Sequence, residues 1–218
     1  MIILYLVFAY ILGSFPSGYI ITRLSTKKNI LEIGWKKTSG SNVFKNVGKW
    51  QAVLTGIIDI LKGFLAVWLA QKFGFSPAIQ ILSGVAAIFG HNWSCFLKFA
   101  GGRGIATYGG ALLAFSWQIL GLALIPFALF SLIISSPVGT IISLVTVIIV
   151  SFYTNHFFAS GIFTIVSLLP IFIKRLSPIK EIFPLKDKKS LIKNRLIYDN
   201  DETLKIRIKS YFKDKKTL

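Results

Sequence analysis

Apolar runs of membrane-spanning length alternate with short polar breaks along most of this chain. The first run covers 1–21, with no basic residue ahead of it and no small-residue cleavage site of the usual kind, so it predicts a retained first span. Runs at 51–70 and 76–97 predict spans two and three, joined by the turn Gln71-Lys72-Phe73-Gly74. The apolar stretch from 105 to 135 is too long for one typical helix and short for two. Its most polar break, Ser116-Trp117-Gln118, divides it into 105–115 and 119–135. Two further runs, 138–153 and 157–173, are separated by Thr154-Asn155-His156. The pattern predicts an all-α fold, a polytopic membrane helical bundle of seven transmembrane helices. Five is the alternative, if some segments are half-spans or one long tilted helix.

Charge placement orients this bundle. Seven Lys and Arg residues lie between 23 and 49, against Lys72 alone in the next turn. The positive-inside rule then puts the first loop in the cytoplasm and the N-terminus outside. The segment from Lys174 onward carries fourteen of the 25 Lys and Arg residues and six of the eight Asp and Glu, which makes the C-terminus cytoplasmic too. An outside start and an inside finish require an odd number of crossings. Composition agrees: 54% of the 218 residues are hydrophobic, 15% are charged, and the mean hydropathy of +0.68 is not that of an ordinary soluble domain. A single cysteine, Cys95, excludes an intramolecular disulfide and a cysteine-based metal cluster. The chain divides into a membrane-embedded domain, 1–176, and a basic cytoplasmic tail, 177–218. In the tail, Pro178 and Pro184 precede a mixed-charge stretch that reads as a short surface helix or a partly ordered arm, suited to anchoring on acidic headgroups.

Several polar residues stand where an apolar run should exclude them. Asp59 and Lys62 fall near the middle of span two, where a lone charge costs about 2.5–3.5 kcal/mol on insertion scales. Their i, i+3 spacing puts them on one face, as a mutually neutralising structural pair or as groups for a substrate. Gly13-Ser14-Phe15-Pro16-Ser17-Gly18-Tyr19 reads as a helix break lining a cavity or as a close-packing face of small residues. In the first loop, Ser39, Ser41, Asn42 and Lys45 supply the hydroxyls, amide and ammonium that hold phosphate oxygens without a metal. A solvated basic loop is the plainer reading. The turn Gly101-Gly102-Arg103-Gly104-Ile105-Ala106-Thr107, preceded by Gly90-His91 and Phe96-Leu97-Lys98-Phe99, has the makings of an anion site. Its glycines admit close backbone approach, the following helix start presents amides, and Arg103 adds a fixed charge. Two such loops on one face of a membrane suit a phosphate-bearing ligand with an apolar end.

In order and spacing these blocks resemble the integral-membrane, acyl-phosphate-dependent glycerol-3-phosphate acyltransferases of bacteria, the PlsY family. The resemblance runs from Gly13 to Thr107 and includes Ser41-Asn42-Val43 with Lys45, Gly48-Lys49, and Asp59-Ile60-Leu61-Lys62-Gly63. It implies a seven-span bundle in the bacterial cytoplasmic membrane with its site open to the cytoplasm. The implied reaction moves a fatty acyl group from acyl phosphate to the 1-hydroxyl of glycerol 3-phosphate, giving lysophosphatidate and phosphate, with no cofactor or metal. Implied partners are these two substrates and membrane lipids, not nucleic acid. Carried over residue by residue, Arg103, Ser41 and Asn42 are the catalytic candidates. Ser39, Lys45, His91, Lys98, Gly101, Gly102, Gly104 and Thr107 are the substrate-binding ones, and Asp59 and Lys62 support the site. With no side chain offering itself as a general base, the acceptor's own phosphate is the expected proton acceptor. Three departures stand out. Gly34-Trp35-Lys36-Lys37 occupies the place of the family's Gly-Ser-Gly-Asn, Arg103 replaces a lysine, and Lys174-Arg175-Leu176-Ser177-Pro178-Ile179 meets the family's His-Arg-x-Asn-Ile block. Asn194-Arg195-Leu196 is a candidate displaced substitute. These departures leave room for a relative that uses another polyol phosphate, or for a non-catalytic one that binds anionic lipid.

Overall fold

The computed structural model describes residues 1–177 and 188–199, and all regular structure among them is helical. The first apolar run is two helices, α1 (Ile2–Ser14) and α2 (Ser17–Thr26), broken at Phe15-Pro16, because a proline lacks the N–H of a continuing helix and pushes the residue before it out of helical geometry. A short α3 (Gly40–Asn46) crosses the first loop and leads into α4 (Lys49–Lys72). Then α5 (Pro77–Asn92) starts on a proline, where the missing N–H costs nothing. It ends five residues before the predicted boundary, since Cys95–Leu97 forms a separate 3₁₀ turn capped by the Ser94 hydroxyl. The polar break at 116–118 does divide the next run, into α6 (Ile105–Phe115) and α7 (Trp117–Ile133). The Ser116 hydroxyl caps α7 by accepting from the Ile119 amide at 3.3 Å. The remaining membrane helices are α8 (Ser136–Tyr153) and α9 (Ile162–Leu176), the latter entered through a π turn at Phe157–Gly161.

Among the described residues four segments, Ile2–Thr26, Lys49–Lys72, Ser136–Tyr153 and Phe157–Leu176, are long and apolar enough to cross a membrane, whereas Ile105–Phe115 and Trp117–Ile133 are shorter. The helices therefore lie close to where the hydropathy placed them, but not all have spanning length. Their packing inverts the soluble pattern. Large apolar side chains such as Leu4, Ile125, Leu132 and Leu169 face outward, while alanines, glycines and small hydroxyls fill the contacts between helices. Where α4 meets α6, a Cβ on Gly63 would overlap the Thr107 carbonyl and one on Gly110 the Ile60 carbonyl, so only hydrogen fits at either position. A denser apolar core of Val67, Val85, Ile88, Leu112 and Phe163 lies among α4, α5, α6 and α9.

The last described helix, α10 (Lys188–Tyr198), is the short helix expected in the tail. It is docked, not free on the surface. Arg175 donates to the Leu196 carbonyl at 2.6 Å and Arg195 donates back to the Leu176 carbonyl at 3.1 Å, tying α10 to the end of α9.

Candidate active site

The glycine turn lies against the end of α5. The Gly102 amide donates to the His91 carbonyl at 3.0 Å, and a Cβ at Gly101 would strike the carbonyls of His91 and Asn92. Gly104, at φ +76°, turns the chain into α6, and the Tyr108 amide closes the first helical bond onto its carbonyl at 2.7 Å. The Gly102 amide expected to hold phosphate is thus already engaged inside the protein. The first turn of α6 presents further amides, where Gly104, Ile105 and Ala106 line a cavity.

The first loop is pinned to this turn by the Thr38 amide, which donates to the Gly101 carbonyl at 3.4 Å. Asn42 organises the loop from within. Its amide nitrogen donates to the carbonyls of Ile33 and Lys37 at 3.1 and 2.8 Å, and its oxygen accepts from the Trp35 amide at 3.0 Å and from Asn46 at 2.9 Å. Fully buried and fully engaged, Asn42 is a strut rather than the ligand-facing group expected of it. Ser39 and Ser41 do face the cavity, their hydroxyls 3.2 Å apart. The Trp35 ring contacts two cations, with the Lys45 ammonium 5.5 Å and the Arg103 guanidinium 5.1 Å from its centroid.

Deeper in the bundle, Asp59 gathers side chains from α2, α4 and α5. Ser17 donates to its carboxylate at 2.6 Å, Lys62 lies at 2.9 Å and His91 Nδ1 at 3.5 Å. Lys62 also donates at 3.1 Å to the Phe15 carbonyl, which lies at the break between α1 and α2 and accepts from the Ser17 amide at 3.0 Å as well. The Pro16 break therefore does have a purpose. It gives a buried ammonium a carbonyl as well as a carboxylate. Asp59 and His91 reach the cavity wall, and the far edge of the His91 ring lies beside Gly102.

Two cavities meet at Arg103. The larger, about 1200 Å³, has a polar end formed by Ser39, Ser41, Lys45, Asp59 and His91 and an apolar arm lined by Leu112, Leu120, Leu124 and Phe127. The smaller, about 530 Å³, is a basic basin lined by Lys36, Lys37, Lys98, Lys174 and Arg195. Trp35, Arg103, Arg175 and Asp199 line both, so they form the partition. Asp199, at the end of α10, pairs its carboxylate with Arg103 Nε and lies 4.0 Å from Lys37. Burial pushes the Asp199 carboxyl above the usual carboxylate range, against the pull of Arg103, Lys37 and Arg175. Burial likewise pushes the Arg103 guanidinium below its ordinary value, with Asp199 opposing.

Residues 3–184 match the family model described as glycerol-3-phosphate acyltransferase. The chain belongs to this family. Among its relatives, a glycerol-3-phosphate acyltransferase from Prochlorococcus marinus (strain MIT 9312) is 36% identical over 179 residues, 79% of this chain and 90% of the relative. One from Endomicrobium trichonymphae is 33% identical over 190 residues, covering 86% and 94%. The fold is similar to crystal structures of PlsY, an integral membrane glycerol 3-phosphate acyltransferase. The glycerol 3-phosphate form gives a TM-score of 0.73 and the lysophosphatidic acid form 0.71, each at 24% identity, covering 84% of this chain and 92% of the other. Together with the four apolar helices of spanning length, membership in this family makes the chain a multi-pass membrane protein. Helix α10 lies beyond the residues that match the family model.

Of the site residues predicted for this acyltransferase-family chain, the fold brings Arg103, Ser39, Ser41, Lys45, His91 and Gly104 to the larger cavity, and Lys98 and Gly101 to the basin. Thr107 does not join them. It is fully buried where α6 crosses Gly63 and serves the helix contact. Sequence reasoning misses Trp35, Arg175 and Asp199 as site residues. Trp35 enters it only as a departure from the family pattern, although an aromatic set among the lysines of a basic loop is a signal for cation–π contact. For Asp199 the sequence offers no signal, as it is one of six acids in a mixed-charge tail.

Proposed function

We propose that this chain is an acyl-phosphate-dependent glycerol-3-phosphate 1-O-acyltransferase of the bacterial cytoplasmic membrane, with seven crossings and its site open to the cytoplasm. The observation that carries the reading is the position of Arg103, between an apolar-armed cavity and a basic basin. The donor's phosphate lies between Arg103 and the first turn of α6, and its acyl chain lies in the apolar arm. Ser39, Ser41 and Lys45 hold the glycerol phosphate. The 1-hydroxyl oxygen attacks the acyl carbon, the bond from that carbon to the phosphate oxygen breaks, and inorganic phosphate leaves. The hydroxyl proton passes to the acceptor's own phosphate. Arg103 and the helix amides stabilise the charge that grows on the leaving group, and the two loops supply orientation.

The test is phosphate release by the purified protein from palmitoyl phosphate, with and without glycerol 3-phosphate. Acceptor-dependent release should fall about a hundredfold or more in Arg103→Ala, the scale of losing one charge-stabilising donor, and persist in Lys72→Gln at the distant turn. Release indifferent to glycerol 3-phosphate, or to Arg103→Ala, would sink the assignment. A second reading, transfer to a different polyol phosphate, is favoured by Trp35, whose bulky ring lines the larger cavity against Lys45 and Arg103 where the resemblance leads one to expect a serine. An acceptor panel in the same assay separates the two.

A further inference from the structure

Asp199 stands where an anion should. Its carboxylate meets Nε of Arg103, and its backbone carbonyl accepts from Nη2 of the same guanidinium at 3.3 Å. Those two nitrogens form one edge of the guanidinium fork, the face that holds a phosphate through paired hydrogen bonds. Lys37 approaches the other carboxylate oxygen at 4.0 Å, and among the described residues Asp199 is the one acid in the lining of the basin. The group is 9% exposed, so the pairing is an inserted contact and not a passing surface ion pair. Its carrier, α10, lies outside the residues that match the family model and is tied to α9 by two reciprocal arginine-to-carbonyl bonds.

We propose that Asp199 is a tethered competitor for the phosphate site. In the resting chain its carboxylate occupies Arg103, and a substrate phosphate is held there only after displacing it and loosening the end of α10. This rests on the reading of Arg103 as a phosphate-holding residue. A carboxylate carries less charge and fewer acceptor oxygens than a phosphate, so it is a displaceable occupant. Tethering gives it a high effective concentration that soluble anions lack. The apparent affinity for phosphate is reduced by the fraction of molecules in which Asp199 is seated.

The experiment is direct binding of inorganic phosphate to the purified full-length chain in detergent, followed by phosphorus NMR, for the native protein, Asp199→Asn, Asp199→Glu and Arg103→Gln. Asp199→Asn should bind phosphate about tenfold more tightly than native, Asp199→Glu should stay near native, and Arg103→Gln should bind more weakly than all three. With palmitoyl phosphate as substrate, Asp199→Asn should lower KM without lowering kcat. In the native chain, added phosphate should speed backbone hydrogen exchange across 188–198, a readout that needs no variant to fold. Asp199→Asn no tighter than native while Arg103→Gln weakens binding would overturn the competitor and leave the proposed function standing. Arg103→Gln binding as well as native would overturn the phosphate reading of Arg103, and the competitor with it. A large fall in kcat in Asp199→Asn at unchanged phosphate affinity would overturn the competitor by making Asp199 a participant in the reaction, and exchange indifferent to phosphate would refute displacement.

Discussion

Asp59 and Lys62 are each nearly free of solvent, at 1% and 4% exposure, and neither is tolerable there alone. Removing one leaves the other buried and charged without its ion-pair partner, Asp59 with only Ser17 and His91 and Lys62 with only the Phe15 carbonyl, which costs roughly 3–5 kcal/mol, whereas removing both takes the two charges out together. Thermal unfolding in detergent should show Asp59→Leu and Lys62→Leu each strongly destabilised. The double variant should recover more than half of the loss. If the double change is as damaging as the two single changes combined, the pair is not mutually neutralising. This much was legible in the sequence, because i, i+3 spacing on a helix fixes which side chains meet. What was not legible is that Ser17, His91 and the Phe15 carbonyl complete the cluster, since those come from other parts of the bundle. Asn42 illustrates the opposite error. Its composition and loop position suggested a ligand group, but five neighbouring backbone and side-chain atoms absorb its hydrogen-bonding capacity.

At the scale of elements, close helix contact decides which glycines matter. Gly63 and Gly110 bring the backbones of α4 and α6 together, and that contact holds the first turn of α6 beside the Asp59 cluster. Gly63→Val should cost about 1–3 kcal/mol from overpacking and lower activity with it. Gly56 lines the larger cavity with no atom near the position a methyl group would take, and should accept alanine with no loss of folded yield. Equal damage from Gly63→Val and Gly56→Ala, compared by folded yield after detergent extraction, would show that the α4–α6 contact is not the sensitive one. The break between α6 and α7 was readable from Ser116-Trp117-Gln118 because a polar, capping residue interrupts an apolar run. The early end of α5 was not, because residues 93–97 remain apolar enough to continue the hydropathy although Ser94 turns back to the Ser14 carbonyl at 2.6 Å.

For the whole molecule, the decisive contact joins segments far apart in sequence. The tail helix delivers a carboxylate to a turn 96 residues earlier, facing Arg103, Lys37 and Arg175. Because burial raises the Asp199 pKa, this carboxyl takes up its proton at a higher pH than a free aspartate would, and the charge that competes with phosphate is lost as pH falls. The advantage of Asp199→Asn over native in phosphate binding should therefore be largest at neutral pH and shrink as the pH is lowered from neutrality toward the ordinary aspartate range. Titrations of both proteins over that range check this. An advantage that grows on acidification contradicts the sign. By itself the sequence determined the helical class, the positions of most membrane segments and the chemistry of the two basic loops, because hydropathy, capping and glycine chemistry act over a few neighbouring residues. Only the tertiary structure decided that Trp35 contacts both Lys45 and Arg103, that Asn42 faces inward and that Asp199 pairs with Arg103. Those depend on which helices pack together, and no local pattern in the chain encodes a contact made across 96 residues.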